Sequence, residues 1–150
     1  MRNWENNIRK VVPYTPGEQP KNPCVIKLNT NENPYPPAPG VKEVLSNFNT
    51  DDLRLYPDPR VDKLVNAIAD FYKIDSSKVF VGVGSDDVIS MAFLTFFNSD
   101  KPVLFPDISY SFYSVWADVY RIPYKAVPVD ENFNIVSSDY YEPNGGVIFP

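Results

Sequence analysis

Residues Val81-Gly82-Val83-Gly84-Ser85-Asp86-Asp87 carry an apolar run through two glycines into a stretch whose apolar residues recur at helical spacing. A strand-turn-helix of this kind aims backbone N–H groups, backed by the helix macrodipole, at an anion, and a phosphate is the natural guest. The same residues also read as nothing more than a tight turn with Ser85 as an ordinary N-cap. A second apolar run, Val103-Leu104-Phe105, leads to Tyr110. Tyr110 thus falls at the carboxyl end of a strand, the edge at which open α/β sheets bind their ligands. Taken alone it reads as a packing or surface residue. Beside the Gly84 turn it reads as a stacking platform, and a flat ring next to a phosphate cradle suits a phosphorylated heteroaromatic cofactor.

The residues that are missing narrow the chemistry. With no His in the chain, it supplies no imidazole base, no Ser-His pair and no His-ligated metal. Cys24 is the single cysteine, which excludes an intramolecular disulfide. A net charge of −5 without a basic run argues against nucleic acid as a partner. The N-terminus lacks the apolar segment of a signal peptide, and no apolar run approaches the ~20 residues that span a bilayer. A cytoplasmic protein without a membrane partner is the expectation.

The elements that must position these residues follow from periodicity. Val61, Leu64, Val65, Ile68, Ala69 and Tyr72 predict a helix over about 60–73. Residues 78–83 predict a buried strand, and Gly84 or Ser85 caps a helix that ends at Asn98. Residues 102–105 predict the next strand. Ser109 is the expected cap of a helix reaching about Tyr120, and strands follow over 122–127 and from Gly146 to the last residue. Helices alternating with short apolar strands predict an α/β fold with a mostly parallel sheet. An apolar strand running into Pro150 suggests a sheet incomplete at the C-terminus, as in a fragment. Before all this, much of the chain's complement of 16 prolines falls between Pro13 and Pro59, which predicts an extended arm and loops. Its apolar residues, Val11, Val12, Tyr14, Val25, Ile26, Leu28 and Tyr35 among them, predict that the arm packs on something, such as another subunit.

A dinucleotide-binding reading competes. Gly82 and Gly84 fit the start of G-x-G-x-x-G, and Asp107 stands at a suitable distance for ribose hydroxyls. The third glycine is replaced by Asp87, and the proline-rich arm has no role in such a fold.

Five segments in order carry a more specific signal: Val12-Pro13-Tyr14-Thr15-Pro16-Gly17, Leu28-Asn29-Thr30-Asn31-Glu32-Asn33-Pro34, Tyr56-Pro57-Asp58, Gly84-Ser85-Asp86-Asp87 and Phe105-Pro106-Asp107-Ile108-Ser109-Tyr110. The series resembles that of the histidinol-phosphate aminotransferases, across nearly the whole chain. The resemblance implies a fold-type I α/β domain that binds pyridoxal 5'-phosphate. It implies that Gly84, Ser85 and Asp86 hold the cofactor phosphate through backbone and side chains, and that Tyr110 stacks on the pyridine ring. In a homodimer, Tyr56 would reach the neighbouring subunit's cofactor phosphate and Tyr14 the substrate phosphate, while Asn31, Glu32 and Asn33 would line the substrate pocket. Residues 1–50 would form the arm and substrate loop, and 51–150 the first part of the large cofactor-binding domain. The implied reaction is reversible amino transfer between L-histidinol phosphate and 2-oxoglutarate. Similar families act on aromatic amino acids or decarboxylate threonine phosphate.

The family's Schiff-base lysine, the acid facing the pyridine nitrogen and the carboxylate-binding arginine lie downstream of the matched part. Its Ser-x-x-Lys arrangement is absent: Lys73, Lys78, Lys101 and Lys125 follow Asp70, Asp75, Asn98 and Ile122 at that spacing. No catalytic residue is therefore assigned, and the 150-residue chain on its own is expected to be inactive. A purely structural, non-catalytic fragment is the remaining expectation.

Overall fold

Pro39 opens helix α1, Pro39–Ser46, inside the stretch expected to be extended throughout. Proline at the first turn gives up an N–H that has no intrahelical partner anyway, so proline density there does not forbid a helix. A 3-10 turn over Thr50–Arg54 follows, capped by the Asn49 side chain accepting from the Asp51 amide. The computed structural model describes residues 2–12, 15, 17–22 and 24–150. The chain divides into two compact units, residues 15–79 and residues 1–14 with 80–150.

In the unit 15–79, helix α2 spans Asp62–Tyr72, close to expectation. Its cap residue Val61 is left-handed, with φ 53°, and offers no capping side chain. Asp58 does that work from four residues upstream, accepting the Arg60 amide at 3.1 Å and the Asp62 amide at 2.8 Å. These amides, the Arg60 bond foremost, hold the Asp58 carboxyl below its ordinary range. The helix ends where Lys73 turns left-handed, and the Ile74 amide returns to the Ala69 carbonyl.

The other unit holds helix α3, Ser85–Phe96, strand β1, Val103–Pro106, helix α4, Phe112–Tyr120, strand β2, Tyr124–Val127, and strand β3, Gly146–Val147. The strands form a parallel sheet in the order β2-β1-β3, with Val103 opposite both Tyr124 and Gly146. Successive side chains of a strand point to opposite faces, and both faces of β1 are covered. Val103 and Phe105 join Phe93 of α3 and Tyr113 and Ala117 of α4 in the larger core cluster. Leu104 packs on the other face with Val127 and Tyr140. At the N-terminus, the Arg9 side chain donates to the Val119 carbonyl of α4 at 2.9 Å, one contact of the arm.

Further expectations need correction: the last strand ends at Val147 rather than running to the final residue. The strand over 78–83 is not one: Val79 has extended backbone, but among the described residues this segment joins no ladder. Nor is it buried, since Phe80 is 64% and Val83 95% exposed; a strand needs a neighbour with free backbone groups, and β1 already has both edges paired. Ser109 does not cap α4. Its hydroxyl turns back to the Pro106 carbonyl at 2.6 Å, and Ser111 precedes the helix. Helix α3 stops at Phe96 rather than Asn98. No described helix is long and apolar enough to cross a membrane.

Candidate functional site

Helix α3 begins on a backbone that only glycine adopts readily. Gly84, its cap, has φ 92° and ψ 171°, and a Cβ there would meet nothing within 4 Å, so the requirement is conformational. Gly82 is glycine for a different reason. A Cβ at this position would lie 2.6 Å from Asp87 Oδ2 and 3.0 Å from a Val88 methyl. Asp87 Oδ2 occupies that space because it accepts the Val83 N–H at 3.0 Å. The bond resembles the backward half of a capping box, shifted by one residue: the acidic residue three positions into the helix reaches past the cap to the N–H of the residue before it. The forward half needs a side chain on the cap residue. Gly84 has none, and no side chain caps α3. The first-turn amides, which no helix satisfies internally, are thus presented to an outside acceptor. Gly84 and Ser85 are exposed and Asp86 is half-buried, so the helix start is not covered by other groups of its unit. Asp87, a misfit in the glycine motif, is the residue that closes the turn. Its spacing from Gly84 is the signal that identifies it as such.

Tyr110 lies in the loop joining β1 to α4, and its hydroxyl donates to Asp86 Oδ1 at 2.6 Å. The Tyr110 ring stacks on Phe112, with centroids 5.5 Å apart and planes 23° from parallel, and meets Tyr113 edge-on at 5.7 Å. Tyr113 is itself buried and donates to the Phe149 carbonyl at 3.2 Å; burial pushes its hydroxyl pKa up. The ring expected to stack and the turn expected to hold a phosphate are therefore joined by one hydrogen bond. Asp107, the acid required by the dinucleotide reading, is engaged elsewhere: its Oδ1 accepts the Ile108 amide at 2.9 Å and the Val129 amide at 3.1 Å.

The remaining candidates belong to the unit 15–79. Thr30 and Asn31 both have positive φ, 64° and 50°, which turns the loop sharply. Glu32 pairs with Lys27, whose hydrogen bond and charge hold the Glu32 carboxyl below its usual range. Asn33 Oδ1 accepts the Tyr35 amide at 3.0 Å, the turn that Asn-Pro sequences commonly make. Tyr56 is fully exposed. Tyr14 lies outside the described residues. The structure brings Gly84, Ser85, Asp86 and Tyr110 together in one unit, and Asn31, Glu32 and Asn33 on one loop of the other.

A family profile, aminotransferase class I and II, matches residues 23–142. The chain belongs to the class I and II aminotransferases. Among curated relatives it is similar to a histidinol-phosphate aminotransferase of Pseudomonas syringae pv. syringae, 53% identical over 98% of this chain and 42% of that protein. Similar proteins of the same name come from Clostridium beijerinckii, 48% identical over 98% of this chain, and Lactococcus lactis subsp. cremoris, 48% identical over 97%. This aminotransferase chain spans about 42% of the length of the relatives it matches. Family membership and the small parallel sheet with flanking helices bear out the expected fold-type I α/β class. In an aminotransferase the Gly82–Asp87 turn no longer calls for a dinucleotide.

Proposed function

We propose that the whole protein is a pyridoxal 5'-phosphate-dependent aminotransferase that moves the amino group of L-histidinol phosphate to 2-oxoglutarate. The observation that carries the reading is the Tyr110 hydroxyl bonded to Asp86 at the open start of α3. It sets an aromatic ring beside a row of N–H donors. A phosphate is an acceptor at physiological pH, so the amides of Ser85 and Asp86 and the exposed Ser85 hydroxyl form a donor set of the right kind. A ring held by Phe112 and Tyr113 suits stacking on a pyridine. The residues present fit the group.

Pyridoxal phosphate, when bound, supplies the electron sink for carbanion chemistry. This chain binds and orients it: Gly84 gives the turn its shape, Ser85 and Asp86 hold the phosphate, and Tyr110 fixes the ring plane. Asn31, Glu32 and Asn33 line the substrate side. In a cytoplasmic homodimer, Tyr56 reaches the neighbouring cofactor phosphate and Tyr14 the substrate phosphate. Residues 1–50 are the arm and substrate loop, and 51–150 the beginning of the cofactor domain. The amine-bonding lysine, by this reading, is none of the chain's own.

Two measurements test the proposal. The whole protein is expected to take up pyridoxal phosphate with the absorbance of a lysine-bound cofactor, and to form glutamate from L-histidinol phosphate and 2-oxoglutarate. The 150-residue chain mixed with the same three compounds is expected to show only the free-cofactor background. Uptake of a nicotinamide dinucleotide in place of pyridoxal phosphate defeats the reading, as does turnover by the short chain.

A further inference from the structure

We infer that the Asp86 carboxylate is a positioning residue for the Tyr110 ring, and that Asp86 serves a bound phosphate through its backbone N–H alone. The inference rests on the cofactor reading above and divides the work of a residue which that reading treats as one group.

An ionised carboxylate only accepts hydrogen bonds, and so does a phosphate dianion. Two acceptors cannot bond each other, and two anions in contact repel. At the second position of α3, however, the Asp86 amide and carboxylate serve different directions. The amide is one of the helix-start donors that no intrahelical carbonyl reaches. The carboxylate faces the β1–α4 loop, where its Oδ1 takes the Tyr110 proton at 2.6 Å. A charge-assisted O–H···O bond of this length is among the stronger ones.

A tyrosine ring turns about two side-chain torsions. Phe112 stacks against Tyr110 and Tyr113 meets it edge-on, contacts that limit the ring's tilt. Stacking is tolerant of sliding, so these contacts leave the position of the hydroxyl less defined than its plane. The bond to Asp86 holds the hydroxyl and ties the ring to the helix that bears the phosphate donors. Ring and phosphate subsites then keep a fixed separation, which a rigid phosphorylated heteroaromatic needs and a simple phosphate does not. Pre-organisation of this type raises affinity by lowering the ordering cost of binding.

The test is a double-mutant cycle in the whole protein with Asp86→Asn, Tyr110→Phe and the two combined. Tyr110→Phe keeps the ring and removes only the bonding hydroxyl, so it probes the bond without emptying the site. Affinity for pyridoxal phosphate and the circular dichroism induced in the bound cofactor are read out, together with affinity for inorganic phosphate. Each single change is expected to weaken cofactor binding about 3- to 10-fold and to reduce the induced signal, while the double variant is no weaker than either single one. Inorganic phosphate is expected to bind Asp86→Asn at least as well as the parent. Additive losses in the double variant overturn the inference, as does a loss of inorganic phosphate binding in Asp86→Asn equal to its loss of cofactor. A parent protein that takes up no pyridoxal phosphate at all overturns the cofactor reading as well, which separates the two failures.

Discussion

Gly146→Ala is expected to destabilise the whole protein by about 2–5 kcal/mol, the sum of a strained backbone and an overpacked core. Gly146 has φ 141°, a conformation that L side chains rarely adopt, and a Cβ on it would lie 2.5 Å from two ring carbons of Phe97. Phe97 cannot easily yield, since it meets Phe93 edge-on at 5.3 Å and packs on the larger core cluster. Gly146 also pairs with Val103 in the sheet, so moving its backbone away disturbs the β1–β3 ladder. Gly40 is the control: in α1, with nothing within 4 Å of a built Cβ, its change to alanine is expected to stabilise by up to about 1 kcal/mol. Denaturant midpoints of the two variants moving in the same direction would contradict this account.

The second large effect separates the two cofactor classes. Tyr110→Ala is expected to weaken pyridoxal phosphate binding by about 1–3 kcal/mol, the range for losing an aromatic stacking partner. Asp107→Ala is expected to leave cofactor affinity nearly unchanged. Its cost appears in stability, at about 1 kcal/mol, because the Ile108 and Val129 amides lose their acceptor in a place where water partly replaces it. Cofactor titration and denaturant unfolding on both variants check the pattern. A strong Asp107 effect on cofactor affinity beside a silent Tyr110 would defeat the aminotransferase reading.

Local patterns in the amino-acid sequence carry much of this fold. Helix α2 shows in the spacing of Leu64, Val65, Ile68 and Ala69, and β1 in an unbroken apolar run. The Gly84 turn and Tyr110 also read as partners, although the strand expected ahead of Gly84 does not form. Sequence reasoning fails where a local pattern is decided by something distant. Residues 78–83 look like a strand, yet ladder formation depends on a partner's backbone. Ser109 looks like a cap, and only the nearby carbonyl of Pro106, which takes its hydroxyl, decides against it. Helix α1 is hidden because proline density outweighs the harmless position of Pro39. Asp87 and Asp107 look like a misfit and a ligand group, whereas each accepts from backbone N–H groups; the spacing from Gly84 signals the role of Asp87, while that of Asp107 shows only in the folded loop. Asn33 shows the converse: the bond to the Tyr35 amide is the generic Asn-Pro turn, and its substrate role rests on family resemblance alone.

The sheet's connectivity also orders its assembly in time. Val103 meets Tyr124 across 21 residues of chain and Gly146 across 43. Doubling a loop adds only about 0.6 kcal/mol to its closure, but the pairs differ much more in what closure gains. The β1–β2 ladder matches four residue pairs, whereas β1–β3 matches two. The longer wait is thus rewarded by the weaker contact, so β3 docks last and leaves first. Amide exchange is the clock that records it: the Ile148 N–H, bonded to the Leu104 carbonyl at 3.0 Å, is expected to exchange before the amides shared by β1 and β2, and the reverse order would refute this sequence of events.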